Sequence, residues 1–331
     1  MMPRAAKSSR VSRIPGKPAP RPAVRPRIAS PWSLRNVRSV QILELAPLRK
    51  IPWLMHGFST RFGGASVLDS GERVLNLGFT EWDARASVLK NRQAFQSALD
   101  DSEHTLVPLK QIHSSVVRWF QMPPDEPRRD LPVTAGLPAQ AGDGSLTNAP
   151  GLLLGIQTAD CVPILLVDAK KRAVAAVHAG WRGTLARIAQ KTVGEMCMHF
   201  GSNPADIFAA LGPAIGGCCY EVGTELVTEF TSQFADAEEY FDELRTGEEP
   251  NPLQWLNMMP PGHQPPPKNV RLDLRKASRS QLLAAGLNKA NIFVSDLCTA
   301  CHTDLFFSYR KEGANSGRLL ATIGIRNSNI I

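Results

Sequence analysis

The sequence predicts an α/β fold: a single domain with a sheet core flanked by helices. Three observations carry this. Residues 152–157 (LLLGIQ), 162–167 (VPILLV) and 173–178 (AVAAVH) are short apolar runs rich in β-branched residues and bounded by turn formers, the pattern of strands buried on both faces. Residues 184–200 carry Leu185, Ile188, Ala189, Thr192, Val193, Met196 and Phe200 at helical spacing, with Gly201 placed to close the helix. Strands interleaved with helices define the class.

Taken in order along the chain, residues 1–40 hold ten Lys and Arg, seven Pro and no Asp or Glu. Their few apolar residues lack any period, which predicts a disordered tail. The catalytic domain is then expected over 41–331. A helix is predicted over 84–99. Residues 121–141 and 245–268 are rich in Pro and charge, and the latter contains three consecutive prolines; both read as loop insertions. A further helix is predicted over 276–285, stopped by Gly286.

The chain's net charge of +8 is confined to the tail, since residues 41–331 hold 28 basic and 30 acidic residues, a net of −2. Net charge therefore excludes a nucleic-acid-binding body and leaves nucleic acid as a partner of the basic tail only. No apolar run approaches the ~18 residues that span a bilayer, so no membrane association is expected. The N-terminal stretch lacks the apolar core of a secretory signal, which gives a cytoplasmic expectation. Six cysteines in 331 residues are too few for a disulfide scaffold. Oligomeric state is left open.

Symmetric pairing of 162–167 with 173–177 around a four-residue turn joins Val167 to Arg172 and sets Cys161 opposite His178, with Cβ atoms ~5 Å apart on one face. A thiolate and an imidazole so placed can share a metal, or the His can activate the Cys as a nucleophile. Asp160 precedes the Cys inside an apolar stretch, where an acid needs a partner. His178 leads into "AGWRG", a turn whose helix N-terminus would attract anions.

At this point the sequence resembles the YfiH-like laccase-domain (multicopper polyphenol oxidase) family of purine nucleoside phosphorylases. The matching segments are "STRFGG" (59–64), "LNLG" (75–78), "NRQAF" (91–95), "KQIHSSVV" (110–117), "QTADCVPILLVD" (157–168), "VAAVHAGWRGTL" (174–185), "GPAIGGCCYEVG" (212–223), "LDLRKASRSQLLAAGL" (272–287) and "FFSYRKEGANSGRLLATI" (306–323). The resemblance covers nearly all of 50–325. It implies a fold related to toxin glutamine deamidases that use a Cys–His pair, and a zinc-type site built from His113, Cys161 and His178. It implies that Arg61, Asn76 and Arg182 line the same pocket as substrate-binding residues. Departures are small: Gly217 stands where the family usually has Pro, and "AGDG" keeps its acid at Asp143.

The activity so implied is phosphorolysis of adenosine, inosine and related nucleosides, including methylthioadenosine, with adenosine deamination as an accompanying activity; purine nucleoside and phosphate are the expected partners. Three N and S ligands leave a fourth tetrahedral position, the pattern of a catalytic zinc. Cu²⁺ binds such sites tightly and is a second candidate. A blue multicopper centre needs about ten His with His-x-His pairs, and this chain has seven His and no such pair. Asp160, kept neutral by burial, is a candidate acid for the departing base; the simpler alternative is an acid that caps backbone amides. A different class remains open: a metal-free cysteine hydrolase or amidase of the same fold, editing peptidoglycan precursors for example. "CTACH" (298–302) matches a haem-attachment pattern and could also pair with Cys218 and Cys219 as a Cys₄ site. Adjacent cysteines lack the usual ligand spacing, so packed thiols are the expectation there.

Overall fold

A computed structural model describes residues 28–99, 104–121, 139–243 and 269–327. Residues 1–27 of the tail expected over 1–40, residues 122–138 of the first insertion and all of the second, 245–268, lie outside the described residues.

Two six-stranded sheets form the centre. The first runs in the spatial order Trp32–Val37, Val40–Leu45, Leu54–Ser59, Leu319–Ile325, Leu152–Thr158 and Thr105–Val107. The second runs Ile292–Val294, Ile207–Leu211, Val162–Asp168, Ala173–Ala179, Gly144–Thr147 and Val117–Trp119. Leu165, Val167, Val174 and Ala176 of the second sheet share a core with Leu43, Phe58, Leu154, Ile156 and Ile323 of the first. Their sequence neighbours Ile164, Leu166, Ala175 and Val177 point the other way, onto helices Ile188–Phe200 and Leu274–Ala284. Side chains alternate faces along a strand, so a strand covered on both sides must be apolar throughout. Helix Arg85–Ala98 covers the outer face of the first sheet, packing Phe95 with Ile42, Met55 and Leu153. The sheet core flanked by helices is present, as two sheets stacked between helical layers.

Four expectations are corrected. The tail does not extend to residue 40, because Trp32–Val37 is a strand paired residue for residue with Val40–Leu45. Trp32 is buried edge-on against Phe58, and Arg35 forks onto Glu44 with two 3.0 Å hydrogen bonds. The hairpin register is displaced, with Asp168 opposite Ala173 and Pro163 opposite His178. The Asp168 side chain accepts from the backbone N–H groups of Lys170 and Lys171, which starts the turn one residue later than symmetric pairing from Val167 assumes. Parity is unchanged, so Cys161 remains on the His178 face, just before its strand. The helix predicted over 184–200 is two helices, Trp181–Leu185 and Ile188–Phe200, separated by Arg187 at φ 62°. The Arg187 guanidinium donates to the Gln233 carbonyl and lies over the Phe234 ring, contacts that hold this left-handed residue. The helix predicted to start at 276 starts at Leu274, because the Asp273 side chain accepts from the N–H groups of Arg275 and Lys276. Gly201 and Gly286 end their helices at φ 63° and 96°.

Among the described residues, no helix is long and apolar enough to cross a membrane.

Candidate active site

His178 lies near the C-terminal end of its strand, Cys161 directly before the N-terminal end of the neighbouring strand, and His113 in a loop at φ 58°. One donor atom from each lies within 4.8 Å of the others. The two imidazoles meet edge to face, with centroids 4.9 Å apart. Gln111 aims the loop: its amide donates to the Gln157 carbonyl at 2.7 Å and accepts from the Gln157 N–H at 2.8 Å, tying "QIH" to the strand that leads into Cys161.

Asp143 organises the triad. Fully buried, it accepts from the N–H groups of Ile112, His113 and Ser114, from the Ser114 hydroxyl at 2.8 Å, and from His178 Nδ1 at 2.9 Å. A carboxylate accepts only, so His178 Nδ1 carries a proton, and a metal would take the place of the proton on Nε2. Burial alone would raise the Asp143 carboxyl, but its hydrogen bonds from His178 and Ser114 hold it down at about 2. Burial opposes charge at Cys161 and His178 as well. The His178 charge and hydrogen bonds from both imidazoles bring the Cys161 thiol down to about 6, while the thiolate and Asp143 bring His178 up to about 9. The pair therefore favours the thiolate, the form that binds metal and attacks carbon.

The donor set fits a tetrahedral borderline metal such as zinc: one thiolate, two imidazoles, and a carboxylate orienting one of them. All three donors line a pocket of about 750 Å³. The backbone at Gly180 makes room for the cluster, since a Cβ there would lie 3.1 Å from Cys161 Sγ and 3.2 Å from the His113 ring.

His113, Asp160, Cys161, His178 and Arg182 all line this pocket. Arg61 and Asn76 do not. The Arg61 guanidinium is drawn to Glu312 at 2.8 Å and the Thr303 carbonyl, and lies over Phe307, beside a separate depression. Asn76 is fully buried, donating to Thr80 and Asp83 and accepting from the N–H groups of Gly78 and Arg318. Asn76 is satisfied inside the fold, and Arg61 is held there through its terminal nitrogen while its Nε finds no partner; Asn76 reaches the site by fixing the backbone of Arg318. Asp160 sits at φ 93° and accepts from the Thr299 hydroxyl at 2.6 Å and the Arg310 N–H at 2.7 Å.

Tyr220 of "CCYEVG", which the sequence offers as a stacking residue, lines the pocket; sequence reasoning missed Tyr309, Arg310 and Arg318, which join it in the wall. Arg310 lies over Tyr220, Arg318 over Tyr309 and Arg182 over Trp181, so three cations are each presented on an aromatic face. The segment "FFSYRKEGANSGR" (306–318) contains three of these four residues, but nothing local in it shows that it folds back onto Cys161.

A family described as multi-copper polyphenol oxidoreductase laccase matches residues 55–326. The chain is 35% identical over 271 residues to purine nucleoside phosphorylase YlmD of Geobacillus stearothermophilus, covering 82% of this chain and 89% of that protein. It is 38% identical over 226 residues to adenosine deaminase RL5 of an unknown prokaryotic organism, covering 68% and 75%. Among solved structures it is similar to Bacillus licheniformis hypothetical protein YfiH, with a TM-score of 0.73 and 29% identity over 90% of this chain and 100% of that one. The YlmD structure from Geobacillus stearothermophilus gives a TM-score of 0.69 at 31% identity, over 88% and 98%.

Proposed function

The chain belongs to the multi-copper polyphenol oxidoreductase laccase family, and on that premise we propose that it is a purine nucleoside phosphorylase. It acts on adenosine, inosine and related nucleosides, methylthioadenosine included, with phosphate, and deaminates adenosine as an accompanying activity. The observation that carries the reading is the His113–Cys161–His178 cluster in a pocket walled by arginines and tyrosines. The names of the relatives, purine nucleoside phosphorylase and adenosine deaminase, agree with it.

His113, Cys161 and His178 would hold a zinc ion, which supplies a Lewis acid for an oxygen of the attacking group. Asp143 keeps His178 in the tautomer that presents Nε2. Arg182, Arg310 and Arg318 supply the positive charge that a phosphate needs in a body of net charge −2. Tyr220, Tyr309 and Trp181 offer faces for a purine ring. Asp160 has two roles open to it. Its carboxylate accepts from the Thr299 hydroxyl and the Arg310 N–H, which supports an anchor for the Arg310 backbone; a proton donor to the leaving base is the other role. Loss of turnover in Asp160→Asn with metal content unchanged supports the second, and unchanged turnover excludes it. Incubating pure protein with adenosine tests the main reading: free adenine that requires phosphate is expected, inosine reports deamination, and neither product would refute it.

The thiolate–imidazolium pair favours a second reading, a cysteine hydrolase or amidase in which Cys161 attacks and His178 is the base that has taken its proton. Rapid alkylation of Cys161 in metal-free protein with intact activity supports it. Stoichiometric zinc lost together with activity in Cys161→Ala supports the first.

A further inference from the structure

A second set of metal donors stands outside the pocket. Cys218 and Cys219 belong to the segment that follows strand Ile207–Leu211, Cys298 and Cys301 to the segment that follows strand Ile292–Val294. These strands are parallel neighbours, so the two segments leave the sheet at the same end. Backbone contacts then hold them together: Ala214 and Cys298 form a parallel bridge, and the Thr299 N–H donates to the Ala214 carbonyl at 3.1 Å. All four sulfurs lie within 4.8 Å of one another, with Cys301 Sγ 3.5 Å from Cys218 Sγ and 3.4 Å from Cys219 Sγ.

These separations are far beyond the ~2.05 Å of a disulfide. They match a tetrahedron: bonds of about 2.3 Å from zinc to sulfur place neighbouring sulfurs about 3.8 Å apart. Cys298-Thr299-Ala300-Cys301 has the two-residue spacing of a zinc hook. The adjacent pair lacks that spacing, but the chain turns sharply at Gly216, where the N–H groups of Cys219 and Tyr220 both return to the Gly216 carbonyl, and this turn brings both thiols to one side. The Gly216 N–H donates to Cys298 Sγ at 3.2 Å, the bond that backbone amides make to metal-bound thiolates. Cys298 is buried beneath the cluster, while Cys218 and Cys301 are exposed, which leaves a path for an ion.

We propose that Cys218, Cys219, Cys298 and Cys301 form a tetrathiolate zinc site, separate from the His113–Cys161–His178 cluster. Its four ligands leave no open position, so its role is structural. It ties together the segments that carry Tyr220 and Thr299, and so fixes the Tyr220–Arg310 stack and the hydrogen bond from Thr299 to Asp160.

The test is cobalt titration of the reduced full-length protein carrying His113→Ala and His178→Ala, which removes the other cluster and leaves all four of these cysteines. The expected result is one tightly held Co²⁺ per chain with intense thiolate-to-cobalt charge transfer and the d–d bands of a four-sulfur tetrahedron. Adding Cys298→Ser should abolish those bands. If the variant keeps the wild-type circular dichroism yet gives no such spectrum, or loses its cobalt on gel filtration, the site is refuted. So it is if intact mass shows these cysteines joined as disulfides in wild-type protein isolated without reductant. A second reading needs no change in the other cluster: zinc released from wild-type protein by thiol-blocking reagents should exceed by one equivalent the zinc released from Cys298→Ser, and equal release refutes the site.

Discussion

A single buried carboxylate sets the geometry of the candidate site. Asp143 receives three backbone N–H groups, a hydroxyl and His178, so the loop that carries His113 and the tautomer of His178 depend on the same two oxygens. Asp143→Asn puts an NH₂ group against these donors. It should lower metal affinity and turnover by about 10–100-fold, measured by competitive chelation and steady-state assay. His56 makes a second prediction. Burial and the nearby Arg49 bring its imidazole from 6.5 down to about 3, and Nε2 accepts from the Leu45 N–H. Between pH ~6.5 and ~3 the unfolded chain binds a proton that the folded chain refuses. Unfolding free energy should therefore fall with acidification across that window, by up to about 1.4 kcal/mol per pH unit. In His56→Gln this part of the slope should vanish in urea titrations at successive pH values. At this scale, Cys161, His113 and His178 were legible because reactive residue types stand out in apolar or motif-bearing segments. Arg61 and Asn76 were misplaced because a polar side chain in such a motif can equally serve the fold, and only its hydrogen-bond partners distinguish the two.

Elements place those residues by where they end. The hairpin strands Val162–Asp168 and Ala173–Ala179 run side by side at the centre of the second sheet, so that Cys161 and His178 emerge together at one end of them. The parity of the pairing was readable in the sequence, because alternation is strict along a strand. The register was not, because the Asp168 side chain decided where the turn begins. Gly180, at the junction between the His178 strand and helix Trp181–Leu185, has an ordinary φ of −78°. A methyl group there is not barred by the backbone; it crowds the sulfur of Cys161 and the ring of His113. Gly180→Ala should keep the melting temperature within a few degrees of wild type and weaken metal binding roughly tenfold or more. Equal metal affinity in the two proteins would show that the cluster has slack.

Over the whole molecule, charge and stability divide at a different residue from the one composition suggests. Ten positive charges fall within residues 1–40, yet Trp32–Val37 is an edge strand of the first sheet. Deleting residues 1–27 should leave stability and nucleoside turnover unchanged. Deleting residues 1–37 removes the buried Trp32 and the Arg35–Glu44 pair, and should cost about 3–5 kcal/mol, the range for losing a buried Trp side chain, measured by chemical denaturation. The α/β class, the glycine-closed helix ends at residues 200 and 284–285 and the clustering of His113, Cys161 and His178 were readable from the chain alone, because hydrophobic period, capping residues and motif-bearing segments are local properties. Only the tertiary structure decided that the core is two stacked sheets, that residues 306–318 fold back so that Arg310 and Arg318 join Arg182 in one wall, and that Cys218 and Cys219 meet Cys298 and Cys301. Those meetings depend on which strands become neighbours, and strand neighbours are chosen by packing across the whole core.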